Sequence, residues 1–163
     1  PMLIAVDARQ AYRPDRRGTG KNLLDLYRTL AARRPEWRFV MLHRDPAADP
    51  FADVPSITAR RINIPAGDRL DLWERLRLPV AAARANVLHS PANTGPTASV
   101  APVVLTVHDL IPVDENPAEP AARAWLRKVR AAARAARQVI TPSEFSKGRI
   151  VDALGVPADR VTV

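Results

Sequence analysis

The sequence contains no cysteine in its 163 residues, which excludes disulfide bonds, thiolate zinc sites and cysteine nucleophiles. Aromatic residues make up only 5% of the chain, so the core must rest mainly on Leu, Val, Ile and Ala. No apolar run approaches the roughly 20 residues that a membrane-spanning helix needs. The first seven residues are too short and too uncharged for a signal peptide. These features predict a cytoplasmic protein and leave a peripheral contact with a membrane surface open.

Positive charge is abundant: the net charge is +8, which favours anionic partners. Spacings of four and three residues place five arginines on one face of a predicted helix. They are Arg123, Arg127, Arg130, Arg134 and Arg137. This face is either simply solvated or an anion-binding surface for lipid headgroups. No aromatic residues interleave the arginines, so we expect no nucleic-acid partner.

Seven short apolar runs rich in β-branched residues predict strands, and helical patterns lie between them. The predicted strands cover residues 3–6, 39–42, 59–62, 87–89, 103–107, 139–141 and 161–163. The predicted helices cover residues 22–33, 68–78, 119–136 and 143–154, and Pro79 starts a second short helix toward Ala85 after the helix at 68–78. This alternation predicts an α/β fold with a Rossmann-like, doubly wound parallel sheet, in one domain over residues 1–163.

Glycines precede the first helix, in the segment that follows the first strand. Gly18, Thr19 and Gly20 could present backbone N–H groups to a phosphate at the start of that helix. The dinucleotide-binding fingerprint fails because Leu23 stands where its third glycine is required. A P-loop fails as well, since Asn22 replaces the Ser or Thr after Lys21. An ordinary turn before a helix remains the alternative.

Polar residues also follow two later strands, at the edge where open α/β sheets bind ligands. His108 could donate to an oxyanion or a sugar hydroxyl, and Asp109 could orient it or cap the loop. Ser143 precedes a helix and is either a ligand contact or an ordinary N-cap. The three histidines, at 43, 89 and 108, match no zinc-ligand spacing, and we expect no metal site.

Four segments together resemble the N-terminal domain of the family 4 retaining glycosyltransferases, which have the GT-B fold. They are GTGKNLLDLYRTLA at residues 18–31, NVLHSP at 86–91, PVVLTVHDLIP at 102–112 and VITPSEFSKGRI at 139–150. The resemblance implies the acceptor-side half of an enzyme that moves a mannose- or glucose-type hexose from a nucleotide-sugar to a glycan or lipid-linked acceptor. It also implies that no metal and no cofactor beyond that substrate is used.

Carried over by position, the resemblance implies that Gly18, Thr19, Gly20 and Ser143 meet the donor's phosphates or sugar, and that His108 supports the reacting centre, with Asp109 beside it. We add Tyr12, Asn93 and Thr94 as candidate acceptor contacts, because they lie in loops on the same side. Lys21 and Asn22 depart from the Arg and Tyr that are common in the family.

The chain ends on an apolar strand, which predicts a longer parent protein whose second domain supplies the nucleotide-sugar site. We therefore expect this half to be inactive alone. The alternative is a non-catalytic basic module that binds anionic lipid or nucleic acid. A nicotinamide-dependent oxidoreductase is disfavoured, because the glycine fingerprint and its acidic ribose partner are missing.

Overall fold

The computed structural model describes residues 1–64, 67–68 and 70–163. Its centre is a seven-stranded parallel sheet in the order β3-β2-β1-β4-β5-β6-β7. The strands are β1 (Leu3–Asp7), β2 (Arg38–His43), β3 (Ile57–Arg61), β4 (Val87–Ser90), β5 (Val103–Thr106), β6 (Gln138–Ile140) and β7 (Val161–Thr162). All seven predicted strands are confirmed, as is the doubly wound parallel sheet.

Five α-helices connect the strands: α1 (Gly18–Arg33), α2 (Leu78–Ala81), α3 (Ile111–Glu115), α4 (Pro120–Ala135) and α5 (Glu144–Leu154). The prediction that α1 begins at Asn22 was wrong, because the glycines themselves form its first turn. The single helix predicted over residues 68–78 was also wrong. A π-helical turn, Trp73–Arg77, leads into α2 instead, and Arg69 lies outside the described residues.

The two faces of the sheet carry separate apolar cores, because side chains alternate along each strand. Ile4 and Val6 of β1 pack with Leu23 and Tyr27 of α1 on one face. Ala5 lies on the opposite face, in the core to which α2, α4 and α5 contribute. A parallel sheet covered on both faces leaves its strand ends as the place for polar function.

Helix α5 begins and ends as the sequence predicts. The hydroxyl of Ser143 accepts a hydrogen bond from the Ser146 N–H at 3.1 Å, which satisfies one free donor of the first turn. Gly155 follows the last turn with φ 65°, a left-handed conformation that glycine adopts without steric cost. These two signals fix the helix in register after β6 and direct its N-terminus toward the loop that follows β5.

Candidate functional site

The carboxyl ends of the strands form the candidate site. The chain runs from β1 to β2 on one side and from β4 to β5 on the other, so the strand order reverses between β1 and β4. Open α/β sheets bind ligands in the crevice at such a switch point. The N-terminus of α1, the loop after β4 and the loop after β5 all lie at this edge.

His108 is held at both its backbone and its ring. Its N–H donates to Asn93 Oδ1 at 2.7 Å, and its Nε2 lies 2.8 Å from the carbonyl oxygen of Pro91. Because a carbonyl oxygen only accepts, Nε2 carries the proton of that bond. Nδ1 therefore remains available, and it has no hydrogen-bond partner among the described residues. Nδ1 of the half-buried ring can accept a hydrogen bond from a substrate hydroxyl.

Asn93 positions His108. Its backbone is left-handed, with φ 67°, a conformation that asparagine tolerates better than most residues. The Asn93 N–H donates to Thr106 O at 2.9 Å, and its side-chain oxygen is occupied by the His108 N–H. Thr94 donates its hydroxyl to Glu74 Oε1 at 2.8 Å. The structure thus gives both residues internal partners, and the predicted acceptor contacts by Asn93 and Thr94 stay predictions.

Two predicted site residues at this edge have partners within the chain. Tyr12 is 1% exposed, its ring stacks on His43 and its hydroxyl donates to Asp49 Oδ1 at 2.7 Å, so its acceptor contact stays a prediction that this burial does not favour. Asp109 has no hydrogen bond to the His108 ring. Its carboxylate accepts the Ile111 N–H at 3.2 Å and caps the turn into α3, which was the loop-capping alternative.

Each of the three histidines has its own set of partners. His43 is stacked on Tyr12, with its Nδ1 3.2 Å from Asp45 O. His89 is 6% exposed and bridges the Tyr27 hydroxyl, 2.6 Å from Nδ1, and Thr106 Oγ1, 2.8 Å from Nε2. Burial lowers the pKa of His89 to about 4, so its ring is neutral at physiological pH. Within the described residues, no group of three His, Asp or Glu side chains is arranged to hold a metal ion.

The two glycines at the start of α1 differ in their surroundings. A Cβ on Gly20 would lie 2.3 Å from the backbone oxygen of Gln10, so the helix packs too closely there for any side chain. A Cβ on Gly18 would meet nothing within 4 Å. Arg17 is the N-cap and gives no side-chain hydrogen bond, so the first-turn N–H groups, including that of Thr19, lack helical acceptors. This turn is an array of donors with no acidic residue in it.

A partly buried ionic network beside this edge was not predicted. Arg9 donates through Nη2 to Asp7 at 2.7 Å and to Glu74 at 3.0 Å, and Lys128 lies 3.2 Å from Glu74. Burial opposes the charge of Arg9, but the attraction of Asp7 and Glu74 prevails and raises its pKa. Arg9 follows Asp7 by two residues, but Glu74 and Lys128 come from distant segments that no sequence spacing connects to them.

This network borders a cavity of about 560 Å³ beyond the ends of β1, β2 and β3. Its described lining combines donors and acceptors of both charges: Arg9, Arg44, Asp45, Arg61, Asn63, Ile64, Gly67, Asp68 and Asp71. Arg61 uses Nε on the Arg44 carbonyl oxygen at 3.2 Å, and its terminal nitrogens have no partner among the described residues. The cavity can therefore offer hydrogen bonds to a polyhydroxylated molecule.

The predicted five-arginine face of α4 is only partly correct. Arg130 donates to Ala153 O at 2.8 Å and Arg134 to Leu154 O at 3.1 Å, so these two side chains cap the C-terminus of α5. Arg123 reaches a loop carbonyl oxygen at 3.3 Å. Arg127 is exposed, whereas Arg137 lies beyond the end of α4. The arginines therefore do not form one uniform surface.

The seven-stranded parallel sheet with its flanking helices is Rossmann-like and matches solved structures of the GT-B architecture. The chain belongs to Glycosyltransferase Family 4, whose sequence model matches residues 16–163. No curated protein matches the chain in a sequence comparison. No helix of the described residues is long and apolar enough to cross a membrane.

Solved structures of glycosyltransferases share the fold. HepE from Anabaena, solved with UDP and glucose and again with UDP-glucose, superposes with a TM-score of 0.62 in both cases, at 16% and 19% identity. The wall teichoic acid polymerase TagF superposes with a TM-score of 0.58 at 12% identity. Each likeness covers 99% of this chain, but the chain spans only 43% of HepE and 38% of TagF.

Proposed function

We propose that this chain is the N-terminal, acceptor-side domain of a retaining hexosyltransferase that transfers a mannose- or glucose-type sugar from a nucleotide-sugar. The second domain of the same protein would supply most of the nucleotide-sugar site, so the 163 residues alone would not turn over. Membership of Glycosyltransferase Family 4 and the UDP-glucose bound by the structural neighbour HepE support this proposal. No metal and no cofactor beyond the substrate is required in it.

The geometry of His108 carries the proposal. Glycosyl transfer passes through an oxocarbenium-like state, in which hydrogen bonds to sugar hydroxyls strengthen as charge develops. The His108 ring is fixed by the Nε2 bond to Pro91 and by the backbone bond to Asn93. Its free Nδ1 is therefore already held in place, and little side-chain entropy would be lost when a substrate binds. His108 would thus contact the transferred hexose and stabilise the reacting centre.

The departing diphosphate would meet the first turn of α1. The N-terminus of a helix carries roughly half a positive charge, and its free N–H groups bind anions. In this chain Gly18 is open to such an approach, and Thr19 adds a hydroxyl. One strand, β4, separates β1 from β5, so the α1 turn and His108 follow strands about 10 Å apart. This span suits a hexose joined to a diphosphate. Ser143, which caps α5 near the His108 carbonyl oxygen, would line the sugar side.

The acceptor would occupy the cavity beyond β1, β2 and β3. Its volume of about 560 Å³ lies within the range of small-molecule sites. Arg44, Arg61 and Asn63 would replace the buried Tyr12 as acceptor contacts, because their side chains line that cavity. A glycan or lipid-linked sugar fits this mixed lining. We propose a cytoplasmic enzyme with, at most, peripheral membrane contact.

The test is His108→Ala in the full-length protein. Losing one preorganised charge-stabilising contact costs about 3 kcal/mol of barrier, so kcat should fall roughly a hundredfold. Arg127→Ala, on the exposed face of α4, is the matched control and should retain activity. Circular dichroism checks that both variants fold. An unchanged kcat in His108→Ala would remove His108 from the mechanism.

The half-enzyme part of the proposal has its own test. The 163-residue chain is incubated with UDP- and GDP-hexoses, and nucleotide release and sugar transfer are measured. No turnover is expected, because the site for the nucleotide would be missing. Sustained transfer by this chain alone would refute the division of the site between two domains.

A further inference from the structure

A second cavity, of about 520 Å³, lies at the opposite edge of the sheet from His108. It is formed where β5 and β6 begin, between the end of α4 and the segment that leads from β4 into β5. Its lining residues are Pro96, Thr97, Ala98, Ser99, Ala101, Pro102, Val103, Arg134, Ala135, Ala136, Arg137, Gln138 and Arg160. Strand β5 has four residues, which separates this edge from the His108 loop by about 13 Å.

Every charged residue that lines this cavity is an arginine. Arg134, Arg137 and Arg160 contribute three positive charges, and no described lining residue is acidic. Two helix C-termini reduce this charge, since α4 and α5 both end here and each carries roughly half a negative charge. About two positive charges therefore remain uncompensated. The cavity beside β1–β3 differs, because three aspartates balance its three arginines.

The guanidinium groups retain unused donors. Arg160 spends only Nη2 on the carbonyl oxygens of Ala133 and Arg134, at 2.9 and 3.1 Å, and its buried Nε has no partner. The Arg137 side chain makes no hydrogen bond or ion pair within the part of the chain described. Ser99 Oγ, in the same wall, is buried without a partner as well. Planar guanidinium donors match the oxygens of phosphate groups better than any other side chain does.

We propose that this cavity is a binding site for a phosphate-type anion, held by Arg137 and Arg160 with Ser99 and Arg134 beside them. The anion is either a free phosphate-bearing molecule or the phosphate of a phospholipid headgroup. The site is separate from the cleft of the proposed glycosyl transfer. One segment connects them: residues 91–102 hold His108 at their beginning and line the anion cavity at their end.

The test compares two arginine substitutions in the purified chain. Arg137→Gln removes one guanidinium of the cavity that supports no other contact. Arg127→Gln removes an equal charge from the exposed face of α4, outside the cavity. Calorimetric titration with inorganic phosphate and pyrophosphate, at ionic strength matched with chloride, measures binding. Flotation with vesicles of equal parts phosphatidylcholine and phosphatidylglycerol tests the lipid source.

Losing one charge-assisted contact should weaken the affinity for the anion about tenfold in Arg137→Gln and leave Arg127→Gln unchanged. Such a loss with phosphate or pyrophosphate supports a free phosphate-bearing ligand. The same loss only with vesicles supports a lipid headgroup. Absence of binding in both assays would overturn the proposal, as would equal weakening in the two variants. Neither variant touches His108, so these outcomes are independent of the proposed enzyme activity.

Discussion

The buried ring of His89 makes the stability of this protein dependent on pH. It lies between Tyr27 of α1 and Thr106 of β5, and both ring nitrogens are within hydrogen-bond distance of hydroxyl oxygens. Burial disfavours the imidazolium, with a smaller repulsion from nearby His108, and lowers the pKa to about 4. An unfolded chain would restore the ordinary value of about 6.5. Acidification therefore protonates His89 in the unfolded state first.

The sign and size follow from proton linkage. Between the two pKa values the unfolded state binds more protons, so stability rises with pH there and is lost as pH falls. The pKa is lowered by about 2.5 units from 6.5 to about 4, and at about 1.4 kcal/mol per unit the full effect is about 3 kcal/mol. Roughly 2 kcal/mol of this should disappear between about pH 7 and about pH 5.

Urea denaturation followed by circular dichroism, at several pH values, measures this dependence. His89→Gln keeps a polar group between the two hydroxyls but cannot titrate, so its free energy of unfolding should fall less on acidification. His43→Gln separates the contribution of the other imidazole whose pKa burial lowers. If wild type and His89→Gln lose stability in parallel between about pH 7 and about pH 5, the reasoning about His89 is refuted.

Three further predictions use the same denaturation assay. Gly20→Ala should cost about 2 kcal/mol because its Cβ meets backbone, whereas Gly18→Ala, in open space, should be near neutral, and equal effects would contradict the packing argument. Glu74→Ala should cost about 2 kcal/mol, less than for a fully buried pair because Arg9 and Lys128 are 21% and 38% exposed, and a neutral result would refute a structural network. Tyr12→Phe should cost about 1 kcal/mol and leave the acceptor KM of the full-length protein unchanged, while a raised KM would restore Tyr12 as an acceptor contact.

The strands were predictable because buried parallel strands carry a local signal. The central strands are short apolar runs buried on both faces, whereas the edge strand β3, ITARR, has only Ile57 buried. Helix boundaries depended on less local effects. Glycines at 18 and 20 were interpreted as a segment before α1, yet they form its first turn, because the close packing against Gln10 requires a residue without a side chain. The prediction of a helix over residues 68–78 was wrong at its start. There the Asp68 carboxylate accepts the Leu72 N–H at 2.6 Å, in place of a backbone carbonyl oxygen of a helix.

The site could be predicted only in part. The motif around His108 was visible, but its partners were not, since Pro91 and Asn93 come from the loop of another strand. Tyr12 was chosen from its position in a loop at the correct edge. Sequence could not reveal that its ring is buried against His43. Likewise, helical periodicity grouped the arginines of α4 correctly, but only the packing of α5 shows that Arg130 serves as a cap.

Residues at this edge of the sheet are of two kinds, those that the fold itself requires and those whose groups are left free. Asn93 and Gly20 are fixed by what the chain itself requires, a left-handed turn in one case and a close backbone approach in the other. Gly18 has no such packing constraint, because a Cβ there would meet nothing within 4 Å. His108 combines both, because its backbone and Nε2 are used internally while Nδ1 is left free. The proposed glycosyl transfer would use the free N–H donors of the first turn of α1 and the free Nδ1 of His108, provided that residues 91–94 hold the ring in place.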